Sequence, residues 1–143
     1  MKTLLWLIWP LLILAGLLIY RYTSGEKYGA GKVLYAKHCA SCHMEDGSGL
    51  RGVIPPLAQA DFVNEHAADM ACLIRYGMEG EVVVNGRTYN RPMYGHADIK
   101  EVEIRNIINY IKNAWGNKGA EIPFKDIEVA LENCPDMVAV PAP

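Results

Sequence analysis

The strongest constraint on this chain is the pentapeptide Cys39-Ala40-Ser41-Cys42-His43. Two thiols three positions apart, followed at once by an imidazole, are the groups that attach a haem covalently and supply its first iron ligand. Both sulfurs would add to the porphyrin vinyl groups, and His43 would bind the iron as the proximal ligand. The motif therefore predicts one covalently bound haem c.

A Cys-x-x-Cys pair can also belong to a thioredoxin-like redox site or to half of a zinc site. A zinc site would need a second, closely spaced ligand pair, whereas the remaining cysteines, Cys72 and Cys134, lie far apart in the chain. A redox site usually follows a buried strand, and residues 31–38 have the pattern of a short helix instead. Haem attachment is therefore the favoured interpretation.

Length and composition bound the rest of the fold. The chain has 143 residues, enough for one small domain with an appendage. Its formal net charge of −2 gives no reason to expect nucleic acid as a partner. Two phenylalanines and 21% charged residues fit a small domain in which a prosthetic group supplies part of the apolar core.

An uncharged, apolar segment runs from Leu4 to Tyr20, between Lys2 and Arg21. As a helix it would span about 25 Å, near the lower limit for crossing a bilayer. A cleaved signal peptide would end in a cleavage site of small residues, and none follows Tyr20. We therefore expect residues 1–22 to form an uncleaved single-pass anchor and residues 23–30 a short tether.

Three helices are predicted after the tether. The first covers residues 31–42, and the second runs from about residue 65, after an Asn64 cap, to residue 76. In the third, Asp98 can cap the helix and Glu101 can complete a capping box, while four isoleucines and Trp115 form a stripe with a 3.6-residue period. The pattern predicts an all-α fold with this stripe in its core.

One segment between the second and third helices has a β pattern. Three consecutive valines, 82–84, precede the pair Asn85-Gly86, which is typical of a two-residue hairpin turn. We expect a small β-hairpin over residues 81–89 that does not extend into a larger sheet.

The order of the motifs resembles that of class I c-type cytochromes over roughly residues 29 to 117. The matching pieces are Gly31, Tyr35, the pentapeptide 39–43, Asp46-Gly47-Ser48-Gly49, Ile54-Pro55-Pro56-Leu57, Met93, Glu103-Ile104, Asn109-Tyr110-Ile111 and Trp115-Gly116-Asn117. Residues 89–93 and 115–117 further resemble the small cytochromes associated with bacterial oxidases and nitrite reductases. The resemblance implies a cytochrome c fold over residues 31–117, with a C-terminal extension at 118–143.

The resemblance also implies the iron ligands. His43 would be the proximal ligand and Met93 the distal one, and a carbonyl of the segment Pro55-Pro56 would accept a hydrogen bond from the second nitrogen of His43. The family usually has Met-Pro at the distal position, whereas here Pro92 precedes Met93.

Other thioethers and imidazoles compete for the distal position. They are Met44, Met70, Met78, Met137, His38, His66 and His96. Met44 adjoins the proximal ligand and Met70 falls within a predicted helix, which leaves Met78, in a glycine-flanked loop, as the main alternative. Met93 is preferred because it stands just before the last helix, where the family has its ligand.

Cys72 and Cys134 remain after haem attachment has used two thiols. In an oxidising compartment a disulfide is the simplest interpretation, and two unpaired buried thiols are the alternative. A disulfide would hold the C-terminal extension, including the helix-like segment 124–133, against the second helix.

The function implied by the resemblance is one-electron transfer. His/Met ligation leaves no open coordination site, so we expect an electron carrier and not an enzyme. It would pass electrons between a quinol-oxidising complex and a terminal oxidase or reductase, from the periplasmic side of a bacterial inner membrane. The alternatives are a haem subunit fixed in a larger respiratory complex and a ligand-binding or catalytic haem protein. Arg51, Arg87 and Arg91 are candidates for steering a redox partner.

Overall fold

A computed structural model describes residues 9–18, 27–67 and 69–134. Its elements after residue 27 are α1 (Gly29–His38), α2 (Ala40–His43), α3 (Asp61–Glu65), α4 (Met70–Tyr76), β1 (Gly77–Met78), β2 (Val82–Val84), β3 (Arg87–Tyr89), β4 (Met93–Tyr94), α5 (Glu101–Ile111) and α6 (Phe124–Glu132). The strands form two antiparallel pairs, β1 with β4 and β2 with β3. In this part of the chain the fold is mostly helical, with two small sheets.

The crossing of α1 and α5 is the most extensive contact between elements in the described part of the chain. Gly31 lies at this crossing, where an added Cβ would collide with the carbonyl oxygen of Asn106 and lie 2.7 Å from the Cβ of Tyr110. Only a residue without a side chain allows the two backbones to come this close. Helix α1 therefore approaches α5 closely at Gly31.

The isoleucine stripe of α5 forms the centre of the core. Ile104, Ile107 and Ile108 are completely buried and Ile111 is 3% exposed. Burying one such side chain stabilises a fold by about 1.5–3 kcal/mol. The predicted role of the stripe in core packing is confirmed.

The bounds of the first two predicted helices are wrong. The first helix is not continuous over 31–42, because α1 ends at His38 and Cys39, with φ −118°, separates it from α2. The second begins at Met70 and not near residue 65, which ends the separate helix α3, and a turn that begins at His66, where φ is −111°, lies between α3 and α4. Asn64 does not cap it, since its side-chain amide lies inside α3 and donates to the carbonyl of Ala60 at 3.4 Å.

The third helix begins later and ends earlier than predicted. Its N-cap is Lys100, and the carboxylate of Glu103 accepts a hydrogen bond from the Lys100 N–H at 2.9 Å. The expected box of Asp98 and Glu101 is therefore replaced by one that lies two residues further along. The helix ends at Ile111, and Trp115 follows it in a loop with φ +51°.

The predicted hairpin is confirmed. Strands β2 and β3 pair from Val82 opposite Tyr89 to Val84 opposite Arg87. The connecting residues Asn85 and Gly86 have φ of +50° and +71°, as the two central residues of a type I′ turn require. The second pairing, of β1 with β4, has no signal in the sequence because each strand contains only two residues.

The N-terminal segment is described only in part. Residues 9–18 are helical, and their side chains are exposed. No helix among the residues that the structure describes is long and apolar enough to cross a membrane. Residues 1–8 and 19–22 of the predicted anchor and residues 23–26 of the tether lie outside the described residues.

The C-terminal extension packs back onto the domain. Helix α6 contacts α4 and α5, and Ile127 on it is 1% exposed. A disulfide joins Cys72 of α4 to Cys134 just after α6. The buried Asn109 of α5 donates to the carbonyl of Ile122 at 3.1 Å and accepts from its N–H at 2.8 Å. These contacts hold Ile122, just before α6, and Cys134, at the end of the described chain, against the core.

Replacing both Cys72 and Cys134 with alanine should lower the free energy of unfolding by about 4 kcal/mol, since the bridge closes a loop with a sequence separation of 62 residues. Guanidinium unfolding followed by circular dichroism would measure the change. Val129→Ala on the exposed side of α6 is the matched control and should unfold like the wild type. An unchanged midpoint in the double variant would show that the bridge adds nothing to stability.

Candidate functional site

The pentapeptide 39–43 lies at one wall of an apolar cleft. Cys39 and His43 line this cleft, whereas Cys42 is exposed. A backbone hydrogen bond connects the two cysteines, in which the N–H of Cys42 donates to the carbonyl of Cys39 at 3.1 Å. The motif therefore presents one sulfur inside the cleft and one at the surface.

The cleft is almost free of polar side chains. Its lining residues are Cys39, His43, Pro55, Pro56, Leu57, Phe62, Val63, Met70, Leu73, Ile74, Met78, Val82, Val84, Met93 and Ile111. Ligand and cofactor sites are typically concave and lined mostly by apolar side chains, as this cleft is. A flat, largely apolar macrocycle suits such a lining.

His43 has a defined tautomer. Its Nδ1 lies 3.1 Å from the carbonyl oxygen of Pro55. A carbonyl can only accept, so Nδ1 carries the proton and Nε2 keeps a free lone pair. Burial lowers the pKa of His43, although the hydrogen bond to Pro55 acts in the opposite direction. The ring is therefore neutral and has one nitrogen available for a metal ion.

The glycine-rich loop after the motif brings the Pro55 carbonyl to His43. The N–H of Gly49 donates to the His43 carbonyl at 3.0 Å, and an added Cβ on Gly49 would lie 2.5 Å from the Pro55 oxygen. The carbonyl of Gly47 accepts hydrogen bonds from the N–H groups of Leu57 and Ala58. Glycine at position 49 thus allows the two ends of the loop to approach each other closely.

Asn117 holds the far side of the same loop. Its side-chain amide donates to the carbonyls of Leu57 at 2.8 Å and Ile111 at 2.7 Å, and its oxygen accepts from the N–H of Gln59 at 2.8 Å. Asn117 is 6% exposed, so these bonds are largely shielded from water. This role has no signal in the sequence, because two of the partners lie in a loop about 60 residues earlier and the third is at the end of α5.

An aromatic cluster fixes the residues directly after the motif. The rings of Tyr35, Tyr110 and Trp115 contact one another with centroid separations of 4.9–5.5 Å. The hydroxyl of Tyr35 donates to the carbonyl of Met44 at 2.7 Å, and the indole N–H of Trp115 donates to that of Glu45 at 3.1 Å. The ends of α1 and α5 therefore hold the chain just beyond His43.

The candidates for the distal position separate into two groups. Met93, Met78 and Met70 line the cleft, from β4, β1 and α4 respectively. Among the lining residues, the only imidazole is that of His43. The remaining candidates within the described residues, Met44, His38, His66 and His96, do not line the cleft, and Met137 lies outside the described residues.

The competing interpretations of the cysteine pair find no support here. Burial raises the pKa of the Cys39 thiol to about 12, with a smaller contribution from Cys42, whereas a reactive redox cysteine needs a lowered pKa. In the part of the chain that the structure describes, no group of three or more His, Cys, Asp or Glu side chains could hold a metal ion. A Cys-x-x-Cys pair, a neutral imidazole directly after it and an apolar cleft fit a covalent haem.

Comparison with known proteins agrees with this site. The sequence profile of the family Cytochrome c matches residues 28–115. Cytochrome c-552 of Thermus thermophilus is 35% identical over 99 residues, which cover 66% of this chain and 75% of the relative.

Two other relatives are parts of larger assemblies by name. One is the cytochrome c subunit of alcohol dehydrogenase (quinone) from Gluconobacter oxydans (strain 621H), which is 29% identical over 66% of this chain and 20% of its own length. The other is the Cbb3-type cytochrome c oxidase subunit CcoP from Azospirillum sp. (strain B510), which is 31% identical over 64% of this chain and 30% of its own length. The chain therefore belongs to the cytochrome c family and is a class I c-type cytochrome, an electron-transfer protein with covalently bound haem c.

Proposed function

We propose that this protein is a membrane-anchored electron carrier with a single haem c attached through Cys39 and Cys42. His43 and Met93 would bind the iron, and the carbonyl of Pro55 would orient His43. The observation that carries the proposal is the position of the His43 imidazole and the Met93 thioether in the lining of one apolar cleft.

Each residue has a chemical task in this arrangement. The hydrogen bond from Nδ1 of His43 to Pro55 keeps the ring in one orientation and makes Nε2 more basic. The thioether of Met93 stabilises the reduced state of a haem relative to a second imidazole. Apolar neighbours exclude water from the iron ligands. Haem supplies reversible one-electron chemistry when it is bound, and no substrate site is required.

The exposed position of Cys42 supports exchange of electrons at the surface. Cys39 lines the cleft and Cys42 faces solvent, so a haem bound to both sulfurs would have one edge close to the surface. Three arginines are exposed: Arg51, Arg87 and Arg91. The ion pairs among the described residues do not include them. The arginines would attract an acidic redox partner in a salt-dependent way.

The apolar segment 4–20 supports a single-pass anchor, with the haem domain on the periplasmic side of a bacterial inner membrane. The donor would be a quinol-oxidising complex and the acceptor a terminal oxidase or reductase. An anchor limits the carrier to diffusion in the plane of the membrane, where such partners are also found.

A haem subunit fixed within a larger respiratory complex is the second candidate. The names of two relatives, a cytochrome c subunit of a quinone-dependent alcohol dehydrogenase and an oxidase subunit, favour it. A free carrier should elute alone after mild detergent extraction, whereas a fixed subunit should elute with stoichiometric partners.

The absorption spectrum of the full-length holoprotein tests the proposed haem. We expect a low-spin, six-coordinate spectrum with a sulfur-to-iron charge-transfer band in the oxidised state and no binding of carbon monoxide in the reduced state, because His43 and Met93 fill both axial positions. The haem-stained band should sediment with membranes and dissolve only in detergent. Ready binding of carbon monoxide would instead indicate a catalytic or sensing haem.

A further inference from the structure

Two methionines on the wall of the cleft form a directly opposed pair. Strands β1 and β4 are antiparallel, and their register joins Met78 to Met93. Directly opposed residues of an antiparallel pair project from the same face, with Cβ atoms about 4.5–5.5 Å apart. Both residues line the cleft and both are half-buried. Two thioethers therefore lie side by side on one wall.

The register of this pair is held by close backbone contacts. Gly77 of β1 has φ +80°, and an added Cβ there would collide with the carbonyl oxygen of Met93 and lie 2.8 Å from the nitrogen of Gly95. Just beyond β4, the N–H of His96 donates to the carbonyl of Ile74 at 2.9 Å. A two-residue ladder is weak by itself, but these contacts keep Met78 opposite Met93.

The chemistry of the lining restricts what else could bind iron on this wall. Among the residues that line the cleft, there is no lysine, aspartate or glutamate, and the one imidazole is that of His43. The remaining thioether, Met70, is part of α4 and is only 6% exposed. Met78 has a flexible side chain with three rotatable bonds, so its sulfur can reach positions close to that of Met93.

We propose that Met78 is a reserve distal ligand, which binds the haem iron when Met93 is displaced or replaced. This proposal rests on the proposed ligation by His43 and Met93 and adds a second sulfur to it. In the exchange, the bond between iron and the Met93 sulfur breaks and a bond to the Met78 sulfur forms, and the oxidation state of the iron does not change. The carrier thus keeps a six-coordinate haem.

The oxidised spectra of four holoprotein variants, two of them the single changes Met93→Leu and Met78→Leu, test this role. Met93→Leu removes the sulfur at nearly constant volume, and we expect it to keep a low-spin spectrum with a shifted sulfur-to-iron charge-transfer band. The double variant Met78→Leu/Met93→Leu should lose that band completely and bind carbon monoxide when reduced. Met70→Leu/Met93→Leu is the matched control and should keep the band.

The other outcomes overturn the proposal in distinguishable ways. If Met93→Leu already loses the charge-transfer band, as the double variant Met78→Leu/Met93→Leu should, Met78 does not bind the iron and the reserve role is wrong. If Met78→Leu keeps the wild-type band in that case, the proposed ligation by Met93 still stands. If Met78→Leu alone loses the band, Met78 is the primary ligand, and both the reserve role and the proposed ligation by Met93 are wrong.

A measurement on the wild type covers the case in which Met93→Leu does not mature. In the reduced, diamagnetic protein, a methyl group close to the haem plane is shifted strongly upfield by the ring current. We expect the ε-methyl of Met78, assigned by its loss in Met78→Leu, to be shifted in this way and to give a nuclear Overhauser effect to the ε-methyl of Met93. A Met78 methyl at its ordinary shift would overturn the proposal.

Discussion

Replacing His43 with alanine should abolish the low-spin spectrum of the holoprotein, because no other imidazole lines the cleft among the residues that the structure describes. The reduced variant should bind carbon monoxide at the vacant position. The free energy of unfolding should also fall by at least about 1–3 kcal/mol, since the carbonyl of Pro55 loses its hydrogen-bond partner in a shielded site. Absorption spectra and guanidinium unfolding of the variant would measure both effects.

His38→Ala is the matched control for this prediction. His38 ends α1, one residue before the motif, is half-buried, and contacts the ring of His96 at a centroid distance of 5.6 Å without lining the cleft. Its replacement should leave the spectrum unchanged. A His43→Ala protein with the wild-type low-spin spectrum would show that another residue is the proximal ligand.

Replacing Gly31 with valine should destabilise the domain by at least about 3 kcal/mol, the upper end of the usual cost of overpacking. The side chain would meet the backbone carbonyl of Asn106, which cannot rotate away as a flexible side chain could. The valine would push α1 and α5 apart, so the cleft would not form as in the wild type. Many molecules of this variant should therefore fail to acquire haem. Guanidinium unfolding and haem content per chain are the measurements.

Ala30→Val separates the effect of the crossing from the effect of valine in a helix. Ala30 is the preceding residue of α1 and is exposed, so its replacement should cost no more than about 0.7 kcal/mol of helix propensity. Equal unfolding midpoints for the two valine variants would contradict the close approach at Gly31.

Packing at the crossing of α1 and α5 also positions the residues of the haem site. Helix α1 carries Tyr35 and ends just before Cys39, while the chain after α5 carries Trp115. Because Tyr35 and Trp115 hold the carbonyls of Met44 and Glu45, the crossing at Gly31 determines where the chain leaves His43. A change 12 residues before His43 in sequence would thus alter the position of the proposed iron ligand through packing.

Features that depend on neighbouring residues were accessible from the sequence. The spacing of Cys39, Cys42 and His43 indicated haem attachment, since this chemistry needs those groups on one turn of chain. The 3.6-residue period of the isoleucines placed them in the core, and the pair Asn85-Gly86 indicated the hairpin. In each case a few adjacent residues contain the whole physical cause.

Features that depend on distant residues were decided by the tertiary structure. Asn109 and Asn117 belong to the motifs that resemble the family, but only the fold brings their side chains to the backbone groups with which they form hydrogen bonds. The break between α3 and α4 has the same origin, because packing selects among helix ends of similar energy. The register that sets Met78 opposite Met93 joins two strands that are separated by 14 residues. Each strand has only two residues and is too short to have a sequence pattern of its own. The sequence by itself thus determined the haem-attachment motif at residues 39–43, whereas the position of Met78 beside Met93 was decided by contacts between segments that share no local pattern.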